Sequence, residues 1–208
     1  MQQIIHIHGG ECFPDNNSFY EALKACDYNP LVEKKHWRDW LKQRLSSSYQ
    51  MIIPQMPNGR MASYKARKIW FEKIFSYLND EGTILTGQSL GAMFLLKYLT
   101  ENGFPRKIKQ LHLLGTLLDE ENLPADNNYL GDFLFDTSGI PAITKQIEYI
   151  YIYHSRDDEY CPYSHAERLV KLLPNAEFIS FEDRGHFSQP EFPELLENII
   201  GYNLLQSI

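Results

Sequence analysis

Short apolar runs recur along the chain, each followed by a longer stretch in which apolar positions return at helical spacing. The short runs fall at residues 4–7, 51–53, 83–86, 111–114, 149–153 and 177–181. Most are too uniformly apolar to leave one face in water, so they predict strands covered on both sides. Helical periodicity lies around residues 19–25, 37–45, 63–78, 90–101, 164–173 and 194–205. This alternation predicts an α/β fold: a mostly parallel sheet of about six strands, with crossover helices on both faces. Residues 116–146 break the pattern, holding Pro124, Asn127, Asn128, Gly131, Gly139 and Pro141 without a long periodic segment. A long irregular insertion is usually functional when it is ordered, and this one is expected to form a small lid or pocket wall. No repeat or linker interrupts the remainder, so residues 1–208 are read as one domain.

Composition narrows the classes of function. The formal net charge is -7 and is spread along the chain, which speaks against a nucleic-acid partner. The densest basic stretch carries Lys65, Arg67, Lys68 and Lys73 among Tyr64, Ile69, Trp70, Phe71 and Ile74, the pattern of an amphipathic helix with a solvated charged face. Cys12, Cys26 and Cys161 are odd in number and widely spaced, so neither a disulfide framework nor a zinc knuckle is expected. The N-terminal residues lack the features of a signal peptide, and no apolar run approaches the roughly 18 residues that span a bilayer. A soluble cytoplasmic protein without a membrane partner is the expectation, and nothing in the sequence speaks to oligomeric state.

Chemistry enters at Gly87-Gln88-Ser89-Leu90-Gly91, which follows the strand at 83–86 and opens the apolar helix at 90–101. A strand, a Gly-x-Ser-x-Gly turn and a helix in that order form a nucleophile elbow, where the turn is too tight for side chains at the flanking glycines. Ser89 is therefore the candidate nucleophile. The helix beginning at Leu90 directs its first amides at developing negative charge, which makes the Leu90 N–H a candidate oxyanion donor. A general base and a supporting acid should follow in the chain order serine, acid, histidine. The strand at 149–153 leads into Asp157 and Asp158, and the last strand leads into Gly185-His186. His186 is assigned as acid/base and Asp158 as the group that orients it, with Asp157 as the rival.

Asp158-x-x-Cys161-Pro162 and Gly185-His186-Phe187 resemble the acid and histidine loops of the α/β-hydrolase superfamily, and that resemblance favours Asp158. It extends over most of the chain. Small size, Trp37-x-x-Trp40-Leu41 and Met56-Pro57-Asn58 resemble, more narrowly, the compact serine-hydrolase family that includes retinoblastoma-binding protein nine. The resemblance implies an α/β-hydrolase fold with a minimal cap. It also implies that His8-Gly9-Gly10-Glu11 is the loop giving the second oxyanion donor, a role carried to Gly10 with Glu11 as the alternative. Gln88 stands where many relatives have histidine, and Cys161 where they have valine.

The remaining candidates have plainer readings. His6 and His8 share a strand face but have no third metal ligand at sensible spacing, so neither a metal nor a cofactor is expected. His36, His112, His154 and His165 read as ordinary surface or core residues. Cys12 is read as a small buried hydrophobe, with a pocket position as the alternative. Trp37, Trp40 and Trp70 are expected in the core, whereas Phe13, Phe133 and Phe135 are expected to wall an acyl pocket. The expected activity is hydrolysis of a small ester, thioester or activated amide through an acyl-serine, with carboxylesterase as the leading form. The alternative is a protein-interaction module that retains the hydrolase fold without physiological catalysis.

Overall fold

The structure is a computed structural model that describes residues 1–32, 35–125 and 128–205, the last four as backbone alone. Its sheet contains β1 (Gln2–Ile7), β2 (Tyr49–Ile52), β3 (Thr83–Gln88), β4 (Ile108–Leu114), β5 (Ile147–Ser155) and β6 (Glu177–Phe181). Every pairing is parallel and the spatial order is β2-β1-β3-β4-β5-β6. The helices are α1 (Asn16–Ala25), α2 (Trp37–Leu45), α3 (Tyr64–Glu72), α4 (Leu90–Glu101), α5 (Tyr163–Leu172) and α6 (Pro193–Leu205). The sheet and flanking helices match the architecture expected from the apolar pattern.

Alternation along the strands divides the core between two faces. Ile5, Ile7, Leu85, Leu111, Leu113, Ile150 and Ile152 pack with α3, α4 and α5. Ile4, Ile84, Tyr151 and Tyr153 pack with Trp37, Leu41 and Leu45 of α2 and with Leu195 and Ile199 of α6. Ten consecutive residues of α4, Leu90 to Leu99, are buried. A helix covered on all sides is apolar all round, and α4 owes its cover to the segment that the sequence marks as irregular.

That segment departs from the expected lid. Leu117, Leu118, Leu130, Phe133, Ile140 and Ile143 are buried in the same core as α4, and 3-10 turns at Gly131–Phe133 and Thr137–Gln146 run across it. Its apolar side chains are used to cover the central helix. Residues 126 and 127, including Asn127, lie outside the described residues.

The basic stretch also differs from its sequence reading. Tyr64, Arg67 and Phe71 form the buried face of α3, while Ile69 and Trp70 are exposed. Ile74 is buried in the 3-10 turn Lys73–Tyr77 that continues α3. The helix is thus rotated so that a charged residue, Arg67, points inward and a tryptophan points out.

Candidate active site

Strand register gathers the loops that matter. Ile7 pairs with Gly87, Gln88 with Leu114, Leu114 with Tyr153, and Ser155 with Phe181. The residues that follow these positions are His8 to Gly10, Ser89, Gly115, Arg156 to Cys161, and Glu182 to His186. All leave the sheet at its carboxyl edge. The chain reverses its direction of travel across the sheet between β1 and β3, and such a switch point opens a crevice where ligands bind in α/β proteins.

Ser89 occupies the turn between β3 and α4 with φ 55° and ψ -127°. A non-glycine residue there is strained and persists only because its surroundings hold it. Its N–H donates to the Leu114 carbonyl at 2.8 Å, and its own carbonyl accepts from Ala92 and Met93 at 2.9 and 3.1 Å. A Cβ on Gly91 would collide with the Ile7 and His8 carbonyl oxygens, and one on Gly87 would lie 2.7 Å from the Ala92 Cα. The hydroxyl lies 3.9 Å from Cys161 Sγ.

His186 Nδ1 meets both oxygens of Asp158, Oδ2 at 2.9 Å and Oδ1 at 3.1 Å. Asp158 Oδ1 also accepts the Tyr160 and Cys161 backbone N–H groups, each at 2.9 Å. The carboxylate side chain is wholly buried, whereas the His186 side chain keeps 22 % of its surface exposed. Asp157 points elsewhere: its Oδ1 accepts from the Ser155 hydroxyl and from the Gly185 N–H at 2.8 Å. Those bonds hold its pKa below the usual carboxylate range. Asp157 therefore anchors the histidine loop, and Asp158 contacts the imidazole.

Other groups fix the same loop. Gln88 Nε2 donates to the His186 carbonyl at 2.8 Å, and Trp37 Nε1 donates to the Phe187 carbonyl at 3.0 Å. The Trp37 backbone N–H adds a bond to the Gln189 carbonyl at 3.1 Å. Phe187, at φ 55°, is fully buried and stacks on Phe192. Gly115 belongs to no motif, yet it lies against the acid–imidazole pair at φ +52°, where a Cβ would stand 3.1 Å from Asp158 Oδ2. Its signal in the sequence was a glycine directly after a strand. His154, fully buried beside this pair, bonds through Nε2 to the Cys161 carbonyl at 2.8 Å, and burial lowers its pKa.

The loop after β1 rests on a buried cation. Arg67 Nη1 donates to the His8 carbonyl at 3.1 Å and Nη2 to the Gly9 carbonyl at 2.8 Å. Arg67 is 0 % exposed; burial lowers its pKa to about 10, so it remains charged at neutral pH. His8 Nε2 accepts the Met56 N–H at 3.0 Å, which leaves the ring proton on Nδ1 to donate to the Gly9 carbonyl at 2.7 Å. With that carbonyl held, a trans peptide leaves the Gly10 N–H on the opposite side. The Glu11 N–H is already committed to the Gly59 carbonyl at 3.1 Å. Both residues line the cleft, and of their two amides the Gly10 N–H is the one without that commitment.

Ser89, His186, Gly9 and Gly10 open onto a cleft of about 1160 Å³. Its apolar wall is Phe13, Phe19, Ala22 and Leu23, from the β1 loop and α1. Of the three phenylalanines expected in the pocket, only Phe13 is there. Phe133 is 0 % exposed, edge-on to Tyr64 and beneath the Arg67 guanidinium, and Phe135 packs against the main core. No described residue between 116 and 146 lines the cleft. Helix α1 takes that place; it is capped by Asp15 Oδ1 accepting the Ser18 N–H at 2.8 Å and has no fully buried residue of its own.

The other candidates fall into structural positions. Cys12 is buried with its thiol pushed up to about 12, and Cys26 lines the cleft. Trp37 is a core residue, Trp40 packs partly buried on the same cluster, and Trp70 is exposed. His6 bonds to Thr86 Oγ1 at 2.8 Å and lies edge-on to Trp37. His112 is fully buried against Tyr151, and His165 accepts the Leu118 N–H at 3.0 Å. Potential metal-ligand atoms of Asp158, Cys161 and His186 lie within 4.8 Å of one another, but two of these residues already bind each other. No helix among the described residues is long and apolar enough to cross a membrane.

The chain is 26% identical to serine hydrolase RBBP9 of Rattus norvegicus over 166 residues, 77% of this chain and 82% of that protein. The ydeN gene product of B. subtilis superposes with a TM-score of 0.72 at 20% identity, covering 98% of this chain and 99% of that one. An esterase from Exiguobacterium antarcticum gives 0.59 at 16% identity, covering 97% and 91%. The structural likenesses establish the α/β-hydrolase fold. The family model described as Serine hydrolase matches residues 31–199, and the chain belongs to that family.

Proposed function

We propose that this serine hydrolase cleaves a small ester, thioester or activated amide through an acyl-Ser89 intermediate, with carboxyl esters as its main substrates. The observation that carries this reading is the Asp158 contact to His186 Nδ1 at the edge where the strained Ser89 turn leaves the sheet. The esterase among the structural relatives supports the ester preference by fold alone. Three unpaired cysteines support a reducing, cytoplasmic setting.

In the first step Ser89 Oγ attacks the substrate carbonyl while His186 Nε2 removes the hydroxyl proton. Asp158 keeps its bond to Nδ1–H throughout, holding the tautomer that leaves Nε2 able to accept and stabilising the imidazolium. Negative charge on the former carbonyl oxygen meets the Leu90 and Gly10 N–H groups, which are already oriented and need no reorganisation. The imidazolium then protonates the leaving group. Water then attacks the acyl-serine, losing a proton to His186, and the intermediate collapses to release the acid as His186 returns that proton to Ser89 Oγ. The Ser89 hydroxyl, seated toward Cys161 in the free enzyme, reaches the imidazole when substrate fills the cleft; such contacts tighten in the bound complex.

A panel of p-nitrophenyl esters of increasing acyl length, run beside a thioester and an aminoacyl amide, tests the assignment. Turnover of the esters with a burst equal to enzyme concentration supports it. Thioester or amide turnover that exceeds ester turnover at matched acyl groups would replace the carboxylesterase reading.

A further inference from the structure

Among the described residues, Arg38 stands apart from the other cleft groups. It is half-buried on the first turn of α2, and its guanidinium has no hydrogen bond or ion pair. Removing a cation from water without a partner costs free energy, so a partly buried unpaired guanidinium is a standing site for an anion. Burial also pulls its pKa down from the usual value, and the charge of exposed Asp39 offsets only part of that.

Its position is set by the catalytic loop. Trp37, the preceding residue, donates two hydrogen bonds to that loop, at 3.0 Å to Phe187 and 3.1 Å to Gln189. Arg38 lines the main cleft together with Ser89 and His186, and also a second recess of about 370 Å³ with Ile53, Pro54 and Gln55. His36 lies beside it; its Nδ1 accepts the Arg38 N–H at 3.4 Å, leaving the ring proton on Nε2 as a further donor. Burial lowers the His36 pKa to about 4, so that donor is neutral and Arg38 supplies the charge.

The carboxylates of the cleft do not compete for this role. Glu11 faces Arg60 at 3.7 Å, and Asp157 is bound by the histidine loop. Asp27 and Glu159 are exposed on the rim, and Asp39 is exposed in the smaller recess. Exposed carboxylates stay hydrated and need no partner. The fork of a guanidinium matches a carboxylate or a phosphate with two parallel hydrogen bonds.

From this juxtaposition we infer that Arg38 is a specificity-determining residue that binds an anionic group on the substrate, remote from the bond that is cleaved. The substrate class is then an ester whose acyl or alcohol part ends in a carboxylate or phosphate. This rests on the acyl-serine reading above, and its test includes a binding measurement that does not require turnover.

Ser89→Ala protein is titrated calorimetrically with the p-nitrophenyl monoester of adipic acid, p-nitrophenyl hexanoate, and a matched ester ending in an ammonium group. A phosphate-ended ester separates the two anion sources. The anionic esters should bind about tenfold or more tightly than the neutral one, as expected for a charge-assisted pair. Arg38→Met should bring that ratio near one, and Arg38→Lys should restore part of it. In the active enzyme the same ratio should appear in kcat/KM through KM. Equal binding of anionic and neutral esters, preference for the ammonium ester, or an unchanged ratio in Arg38→Met would overturn the inference. Anion-selective binding without turnover of any ester would leave Arg38 assigned and refute the hydrolase reading instead.

Discussion

Asp158 holds His186 through both carboxylate oxygens, at 2.9 and 3.1 Å from Nδ1, while the adjacent Asp157 binds the backbone one residue before that histidine. Two neighbouring acids thus divide the work of contact and support. Asp158→Asn should reduce the rate of Ser89 acylation by roughly a thousandfold or more, because an amide cannot hold the required tautomer. Asp157→Asn should reduce it far less and should act mainly by loosening the loop. Single-turnover acylation rates check this, and equal losses would contradict the division of roles.

Arg67 braces the loop after β1, which carries the proposed oxyanion donor Gly10, through the His8 and Gly9 carbonyls. Arg67→Met preserves much of the side-chain volume but removes both donors to the His8 and Gly9 carbonyls. We expect kcat to fall by about 10²-fold, the scale of a lost oxyanion donor, with KM for a neutral ester changing little. Steady-state kinetics with p-nitrophenyl acetate provides the check. A variant that folds and retains full kcat would show that the loop stands without its cation.

Gly115 makes a similar claim about space. At φ +52°, Gly115→Ala adds a conformational cost of about 1–2 kcal/mol and places a methyl group 3.1 Å from Asp158 Oδ2. Both stability and acylation should drop. Urea denaturation combined with active-site titration separates the two, and unchanged acylation would mean that the acid shifts freely.

Buried histidines should make stability depend on pH. Burial lowers His112 from 6.5 to about 3, and lowers His6 and His154 in the same direction. Between the ordinary pKa of 6.5 and the folded value, the unfolded chain binds protons that the folded one refuses. Stability is therefore present in full above pH 6.5 and declines as pH falls toward the folded pKa, by about 1.4 kcal/mol per unit for His112, with His6 and His154 acting in the same direction. Urea midpoints at pH 7 and pH 5 should show this decline, and His112→Gln should make it shallower by the share of that one group, His6 and His154 keeping the rest. A midpoint independent of pH would contradict the neutral assignment.

Sequence and structure agree where the controlling forces are local or periodic. The strands are apolar because both faces of the sheet are covered, and the elbow announces itself because only glycine fits at residues 87 and 91. What the sequence concealed depends on packing between distant segments. Arg67 reads as a surface charge on a basic helix, and only the β1 loop packed against it supplies carbonyls that make burial favourable. Phe133 has the residue type of a pocket wall but lies under that same arginine. The cleft wall came instead from α1, whose apolar residues face the crevice and leave no fully buried position. Trp70 shows the converse, since size and apolarity did not place it inside.

The proposed mechanism requires that the reactive hydroxyl be that of Ser89. Labelling the folded protein with a fluorophosphonate, followed by peptide mass spectrometry, tests it most directly. One adduct is expected, on Ser89, absent from Ser89→Ala and strongly slowed in His186→Ala. No adduct on folded wild-type protein, or undiminished labelling of Ser89→Ala, would contradict it.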